Sequence, residues 1–141
     1  THKPCWPAAR AWTRARAADL VKAFAREKAR LRIVSLDSLA DVALLGAAHL
    51  VVNSTSVGLH GGDFLDYSAR ATPAGCVHFD LAYREGLTPF LQLARVARRP
   101  VIDGRHMLLH QGAIAFRLFT GKKPPIDVMA RAIGIATKDR A

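Results

Sequence analysis

Acidic residues are scarce in this chain. Eleven Asp and Glu stand against 21 Lys and Arg over 141 residues, a formal net charge of +10. That imbalance disfavours a cationic partner and favours anions, whether a phosphorylated cofactor, an acidic protein or nucleic acid. Most of the basic residues sit in two stretches, Arg10 to Arg32 and Arg95 to Lys123. Cysteine is nearly absent. Cys5 and Cys76 lie far apart and form no C-x-x-C pair, so a disulfide framework is excluded and reduced thiols in a cytosolic protein are expected. No hydrophobic run is long enough to span a bilayer, the longest being cut at His49. The first seven residues, Thr1 to Pro7, have no apolar core of a secretory signal, and a cytoplasmic protein is expected. No internal repeat or low-complexity stretch occurs. Half of the residues are apolar, enough for the core of one ordinary domain.

The apolar periodicity switches back and forth along the chain. Residues 1–12, with Pro4, Pro7 and two tryptophans, read as irregular. Ala17, Leu20, Val21, Phe24 and Ala25 fall at helical spacing, predicting a helix over Thr13–Arg30 with Thr13 as N-cap. Leu31–Val34, His49–Asn53, Cys76–Asp80 and Val101–Ile102 read as strands. Between them Ser38–Leu45 fits a short helix, and residues 57–73 fit a loop with one helical turn. Thr88-Pro89 opens a further helix, as N-cap and first helical position, running to Arg98. Asp103 and Gly121 bracket a helix of about four turns, and a last helix covers Ile126–Ile135. Strands alternating with helices predict an α/β fold: an incomplete Rossmann-like parallel sheet over residues 13–137, with flanking helices and a short tail at 138–141.

Each apolar strand ends in a polar residue followed by small or turn-forming ones. Val51-Val52 leads into Asn53-Ser54-Thr55-Ser56, Val77-His78-Phe79 into Asp80 with Tyr83 just beyond, and Val101-Ile102 into Asp103-Gly104. In open parallel sheets, ligands bind outside the carboxyl ends of the strands, so the three clusters are expected to converge on one crevice. On the long helix, Met107, Gln111, Ile114 and Leu118 share a face. A glutamine in a buried apolar stripe must find hydrogen-bond partners or cost the fold roughly 1–3 kcal/mol, and a polar ligand is one such partner.

At these residues the chain resembles the carboxyl-terminal part of the shikimate dehydrogenase family. Asn53-Ser54-Thr55-Ser56-Val57-Gly58 is similar to the family's N-A/S-T-S/P-x-G loop, and Asp80-Leu81-Ala82-Tyr83 with Thr88-Pro89-Phe90-Leu91 to its D-x-x-Y…T-P-L/F-L segment. Asp103-Gly104, Met107-Leu108 and Gln111-Gly112-Ala113 resemble its D-G-x-x-M-L-x-x-Q-x-A block; Phe116 and Thr120-Gly121 follow in register. The resemblance is strongest over residues 49–130 and weaker back to Thr13. It implies reversible NADPH-dependent reduction of 3-dehydroshikimate to shikimate, on the path to aromatic amino acids. Thr55, Ser56, Leu81 and Gly104 would lie against the nicotinamide end of NADP, while Tyr83 and Gln111 would hydrogen-bond the hydroxylated acid. A nicotinamide ring needs apolar contact and close backbone approach, which Leu81 and Gly104 suit.

The chain departs from the family elsewhere. The family's catalytic Lys–Asp pair belongs to an amino-terminal substrate domain with no counterpart here, so no catalytic residue is assigned. No G-x-G-x-x-G or G-A-G-G-A occurs. Where the family has N-R-T-x-x-R, this chain has Ala11-Trp12-Thr13, and Arg14 and Arg16 are left to meet the adenosine phosphate. The expectation is part of an enzyme: inactive alone, completed by a second chain carrying the substrate domain, and without membrane or nucleic-acid partners. The alternative is a non-catalytic basic module on the same fold that binds a nucleotide, an acidic partner or nucleic acid. Other constellations read as structural. His106 and His110 have zinc-like spacing but no third ligand nearby, so no metal is assigned. Ser54 and Ser56 lack a His–Asp partner, Arg95, Arg98 and Arg99 suit a helix carboxyl end, and His60-Gly61-Gly62-Asp63 reads as a loop at the cofactor edge.

Overall fold

The computed structural model describes residues 7–24, 33–35, 39–59 and 64–135, with side chains in the first helix from residue 15 onward. It divides into two compact units, Thr1–Ser38 and Leu39–Ala141. In the first, helix α1 spans Pro7–Phe24. It therefore begins inside the segment expected to be irregular, and Thr13 lies in its interior rather than at its cap. The physical reason is Pro7, whose fixed φ and missing N–H cost nothing at a first helical position. Ile33 and Val34, expected in a strand, are irregular and exposed. Leu31, Trp6, Cys5 and the loop His60–Asp63 lie outside the described residues.

The second unit is a three-stranded parallel sheet in the order β1-β2-β3, with β1 at Leu50–Asn53, β2 at Val77–Asp80 and β3 at Val101–Ile102. Leu50 pairs with Val77, Asn53 with Asp80, and Phe79 with Ile102. The register brings all three carboxyl ends to one edge. Side chains alternate across a strand, so Val51, Asn53, His78, Asp80 and Val101 share one face and Leu50, Val52, Val77, Phe79 and Ile102 the other.

The first face is covered. Short helix α2 (Val42–Gly46) is capped by Asp41, whose carboxylate accepts from the amides of Ala43 and Leu44. A 3₁₀ turn follows at Ala69–Ala71, and helix α3 spans Pro89–Val96 with Thr88 as N-cap. Phe90, Leu91, Ala94 and Ala97 fall at helical spacing and bury against Leu45, Tyr67 and Ala69. Phe90 stacks at 5.0–5.6 Å ring separation on Phe64, Tyr67 and His78. The second face is open: Leu50 is 56% exposed, Val52 44% and Ile102 43%.

Helix α4 (Gly104–Thr120) starts at Asp103, whose carboxylate accepts from the Arg105 amide, and stops at Gly121 in the left-handed region. Helix α5 (Ile126–Ala132) folds back along it. Gly112 faces Met129, and the Arg105 guanidinium donates to the Gly134 carbonyl, so the two helices run antiparallel. Burial opposes the Asp103 charge, but hydrogen bonds from the Arg105 side chain and amide prevail and hold the carboxyl below its ordinary range.

His78 is fully buried. Its Nδ1–H donates to the Cys76 carbonyl, leaving Nε2 to accept from the Tyr67 hydroxyl at 2.5 Å. Burial lowers the His78 pKa below 6.5, and burial likewise raises that of the Tyr67 phenol far above its ordinary value. The imidazole therefore takes a proton more readily in the unfolded chain. Stability is full above about pH 6.5 and falls as pH drops below that value toward the depressed native pKa. Urea unfolding at pH 8 and pH 5 is expected to show that loss. His78→Phe is expected to flatten the pH slope.

Candidate functional site

Two loops leave the carboxyl edge of the sheet and face each other across a cleft of about 590 Å³. Ser54, Thr55, Ser56 and Leu59 come from the loop after β1, and Leu81, Ala82 and Tyr83 from the loop after β2. Four of the residues expected at a ligand, Thr55, Ser56, Leu81 and Tyr83, are thus brought together. Ser54 joins them as a member of the expected strand-end cluster, and Leu59 and Ala82 join without having been singled out as ligand-facing.

The polar residues at the strand ends do not face this cleft as three open clusters. Asn53 is 4% exposed and Asp80 0%, and they are bonded to one another. The Asn53 amide donates from Nδ2 to Asp80 Oδ1 at 3.0 Å. Asp80 Oδ1 also accepts from the Ala82 amide at 3.0 Å, and Oδ2 from the Thr88 hydroxyl at 2.5 Å. On the other side, Asn53 Oδ1 accepts from the Thr55 amide at 3.1 Å and the Thr55 hydroxyl at 2.7 Å. A buried carboxylate needs such donors, because an unsatisfied one costs the fold several kcal/mol. Here those donors belong to both loops and to the cap of α3, so one cluster sets the position of each. The third strand-end residue, Asp103, is occupied by the α4 cap and by an ion pair with Arg105 at 2.6 Å.

Gly58 ends the first loop at φ +85°, a conformation that strains any side chain. Gly104 has a different reason to be glycine. A Cβ there would stand 2.3 Å from the Leu81 carbonyl oxygen and 3.1 Å from that of Ala82. The start of α4 therefore packs directly on the backbone of the second loop. Gly104 thereby supports Leu81 from behind.

Gln111 lies seven residues beyond Gly104. Helix geometry puts it about 10 Å further along α4, on the same face. It is exposed, as are Met107, Ile114 and Leu118, with Leu118 at 77%. The expectation that this stripe turns to the core is therefore corrected. Leu109 and Ala113 carry the buried face, and Gln111 owes no internal hydrogen bond. Gln111 is not among the residues lining the cleft. Arg16 is exposed on α1, in the first unit, and the side chain of Arg14 lies outside the described residues.

The cleft offers an apolar wall of Leu59, Leu81 and Ala82 beside the hydroxyls of Ser54, Thr55, Ser56 and Tyr83. The lining thus sets apolar carbon beside hydroxyl groups drawn from both loops. Among the described residues that line it there is no carboxylate or histidine. Among the described residues no group of three or more His, Cys, Asp or Glu could hold a metal, and no helix is long and apolar enough to cross a membrane.

Comparison with known proteins converges on one group. Residues 104–133 match the family described as shikimate 5'-dehydrogenase C-terminal domain. Shikimate dehydrogenase (NADP(+)) of Methanocella arvoryzae is 40% identical over 120 residues, 85% of this chain and 44% of that protein. Shikimate 5-dehydrogenase of Thermus thermophilus, solved in complex with NADP(H) and shikimate, superposes with a TM-score of 0.65 at 35% identity, covering 84% of this chain and 41% of that one. Quinate dehydrogenase of Corynebacterium glutamicum, solved with NAD, superposes with a TM-score of 0.60 at 29% identity, covering 70% of this chain and 34% of that one. The chain spans less than half the length of the relatives it matches.

Proposed function

Because the chain is built like the carboxyl-terminal, Rossmann-like part of shikimate dehydrogenases, in sequence and in fold, we propose that it supplies the nicotinamide-facing wall of such an enzyme. The observation that carries this reading is the cleft itself, where Thr55, Ser56, Leu81 and Tyr83 meet from two loops with Gly104 packed behind Leu81. When bound, NADPH supplies a hydride to the carbonyl carbon of 3-dehydroshikimate. Leu81 gives the ring an apolar surface, and Thr55 and Ser56 give hydroxyls for its polar substituent. The Tyr83 phenol and the Gln111 amide hold hydroxyls of the substrate, Gln111 from the exposed face of α4. Arg14 and Arg16 on α1 are positive groups for the adenosine phosphate.

The reaction also needs a group that delivers a proton to the new alkoxide and a cradle for the diphosphate. The family's Lys–Asp pair and glycine loop do that work, and neither motif occurs in these 141 residues. Loss of a general acid costs a factor of about 10²–10⁴. This polypeptide alone is therefore proposed to have no useful turnover, and a substrate domain, on the same or a second chain, is its partner. The quinate dehydrogenase likeness leaves that absent domain to choose the acid.

The test is made on the protein that joins this chain to a substrate domain. Gln111→Ala is expected to raise KM for 3-dehydroshikimate by about 10–100-fold, the loss of one or two hydrogen bonds, with NADPH affinity unchanged. Leu81→Asp is expected to weaken NADPH binding by a similar factor, since it sets a carboxylate against an apolar ring. Ordinary turnover by the 141-residue chain alone would overturn the incompleteness. Salt-sensitive nucleic-acid binding indifferent to Tyr83 and Gln111 would favour a basic binding module instead.

A further inference from the structure

We infer that the Thr55 hydroxyl presents a hydrogen-bond acceptor to the cleft and selects a ligand carrying an N–H donor, specifically a primary carboxamide. The inference rests on the reading of the cleft as a nicotinamide site, and adds to it the polarity of one contact and the residues that set that polarity.

The direction of each bond follows from the one before. The Asp80 carboxylate can only accept, so the Asn53 group facing Asp80 Oδ1 is the amide nitrogen. The Asn53 oxygen is then turned the other way, toward Thr55. An amide oxygen also can only accept, so the Thr55 hydroxyl proton is committed to it, at 2.7 Å. One lone pair of Thr55 Oγ1 accepts from the Val57 amide at 3.2 Å. What remains is one lone pair, on an exposed residue that lines the cleft. The hydroxyl has no second proton to offer, and turning the existing one outward would leave Asn53 Oδ1 with the Thr55 amide alone. Asn53 and Asp80 are positioning residues for this contact: buried, remote from the ligand, and acting through Thr55.

The distinguishing ligand is the 3-acetylpyridine analogue of NADP⁺, which keeps the ring and its carbonyl but carries a methyl in place of the amide NH₂. Binding of both molecules is measured by calorimetry on the protein containing this chain and a substrate domain. The unaltered protein is expected to bind NADP⁺ about tenfold more tightly than the analogue, one hydrogen bond's worth. Thr55→Val, at an exposed position that tolerates change, is expected to bring the two to parity by weakening NADP⁺ alone. Thr55→Ser is expected to keep the preference. Asn53→Ala is expected to shrink the ratio, whereas a general loosening would lower both affinities alike and leave the ratio intact. Equal affinities in the unaltered protein, or an undiminished ratio in Thr55→Val, would overturn the inference while leaving the nicotinamide site standing. Failure to bind either molecule would overturn both.

Discussion

Asp80→Ala is expected to destabilise the sheet unit by roughly 3–5 kcal/mol, measured as a shift in the urea midpoint with the slope unchanged. Three donors converge on this carboxylate: the Asn53 amide from the end of β1, and the Ala82 backbone and Thr88 hydroxyl from the segment that follows β2. Removing it strands them in a site with no exposure, and each buried unsatisfied donor costs about 1–3 kcal/mol. Asp80→Asn is the control that keeps volume and hydrogen-bonding capacity and removes only the charge. Its oxygen can still receive Asn53 and Ala82, and its NH₂ can donate to Thr88. A loss of about 1 kcal/mol is expected for it. Equal losses in the two variants would mean that the carboxylate's charge, and not its volume or the count of its hydrogen bonds, carries the contribution.

Gly104→Ala is the second large effect. The added methyl would stand 2.3 Å from the Leu81 carbonyl oxygen and 2.8 Å from its carbon, both backbone atoms with no side-chain freedom to retreat. The start of α4, or the Leu81–Tyr83 loop, has to move. Overpacking of this kind costs about 1–3 kcal/mol in stability. The expected effect on binding is larger than the effect on folding, because the loop displaced, Leu81–Tyr83, is a wall of the cleft. NADPH affinity in the protein joined to its substrate domain is expected to fall by more than tenfold, with the far-ultraviolet circular dichroism spectrum unchanged. Unchanged affinity would show that the cleft wall does not depend on this contact.

Much of the fold was legible because it is written in local chemistry. Thr88-Pro89 before an apolar helical run, Asp103 before α4 and Gly121 after it are cap signals whose reason lies within four residues of the helix end. Strands β1 and β2 end where a polar residue, Asn53 or Asp80, closes the apolar run. What stayed hidden depends on partners distant in sequence. Asn53 and Asp80 each look like a ligand-facing residue at a strand end. They are 27 residues apart, and only the parallel register reveals that they satisfy one another. The face of α4 was misread for a similar reason. Both sides of that helix are apolar, Leu109 and Ala113 on one and Met107, Ile114 and Leu118 on the other. Periodicity identifies a stripe but not the element it meets. At the amino end, residues 1–12 read as irregular, whereas Pro7 stands at the first position of α1, where proline is tolerated.

The bare side of the sheet carries a practical consequence. Parallel sheets are ordinarily sheathed on both faces, and here Leu50, Val52 and Ile102 present branched aliphatic carbon to water. A polypeptide with such a surface binds fluorescent hydrophobic dyes while fully folded, so a bright dye signal from it reports missing cover and not a molten interior.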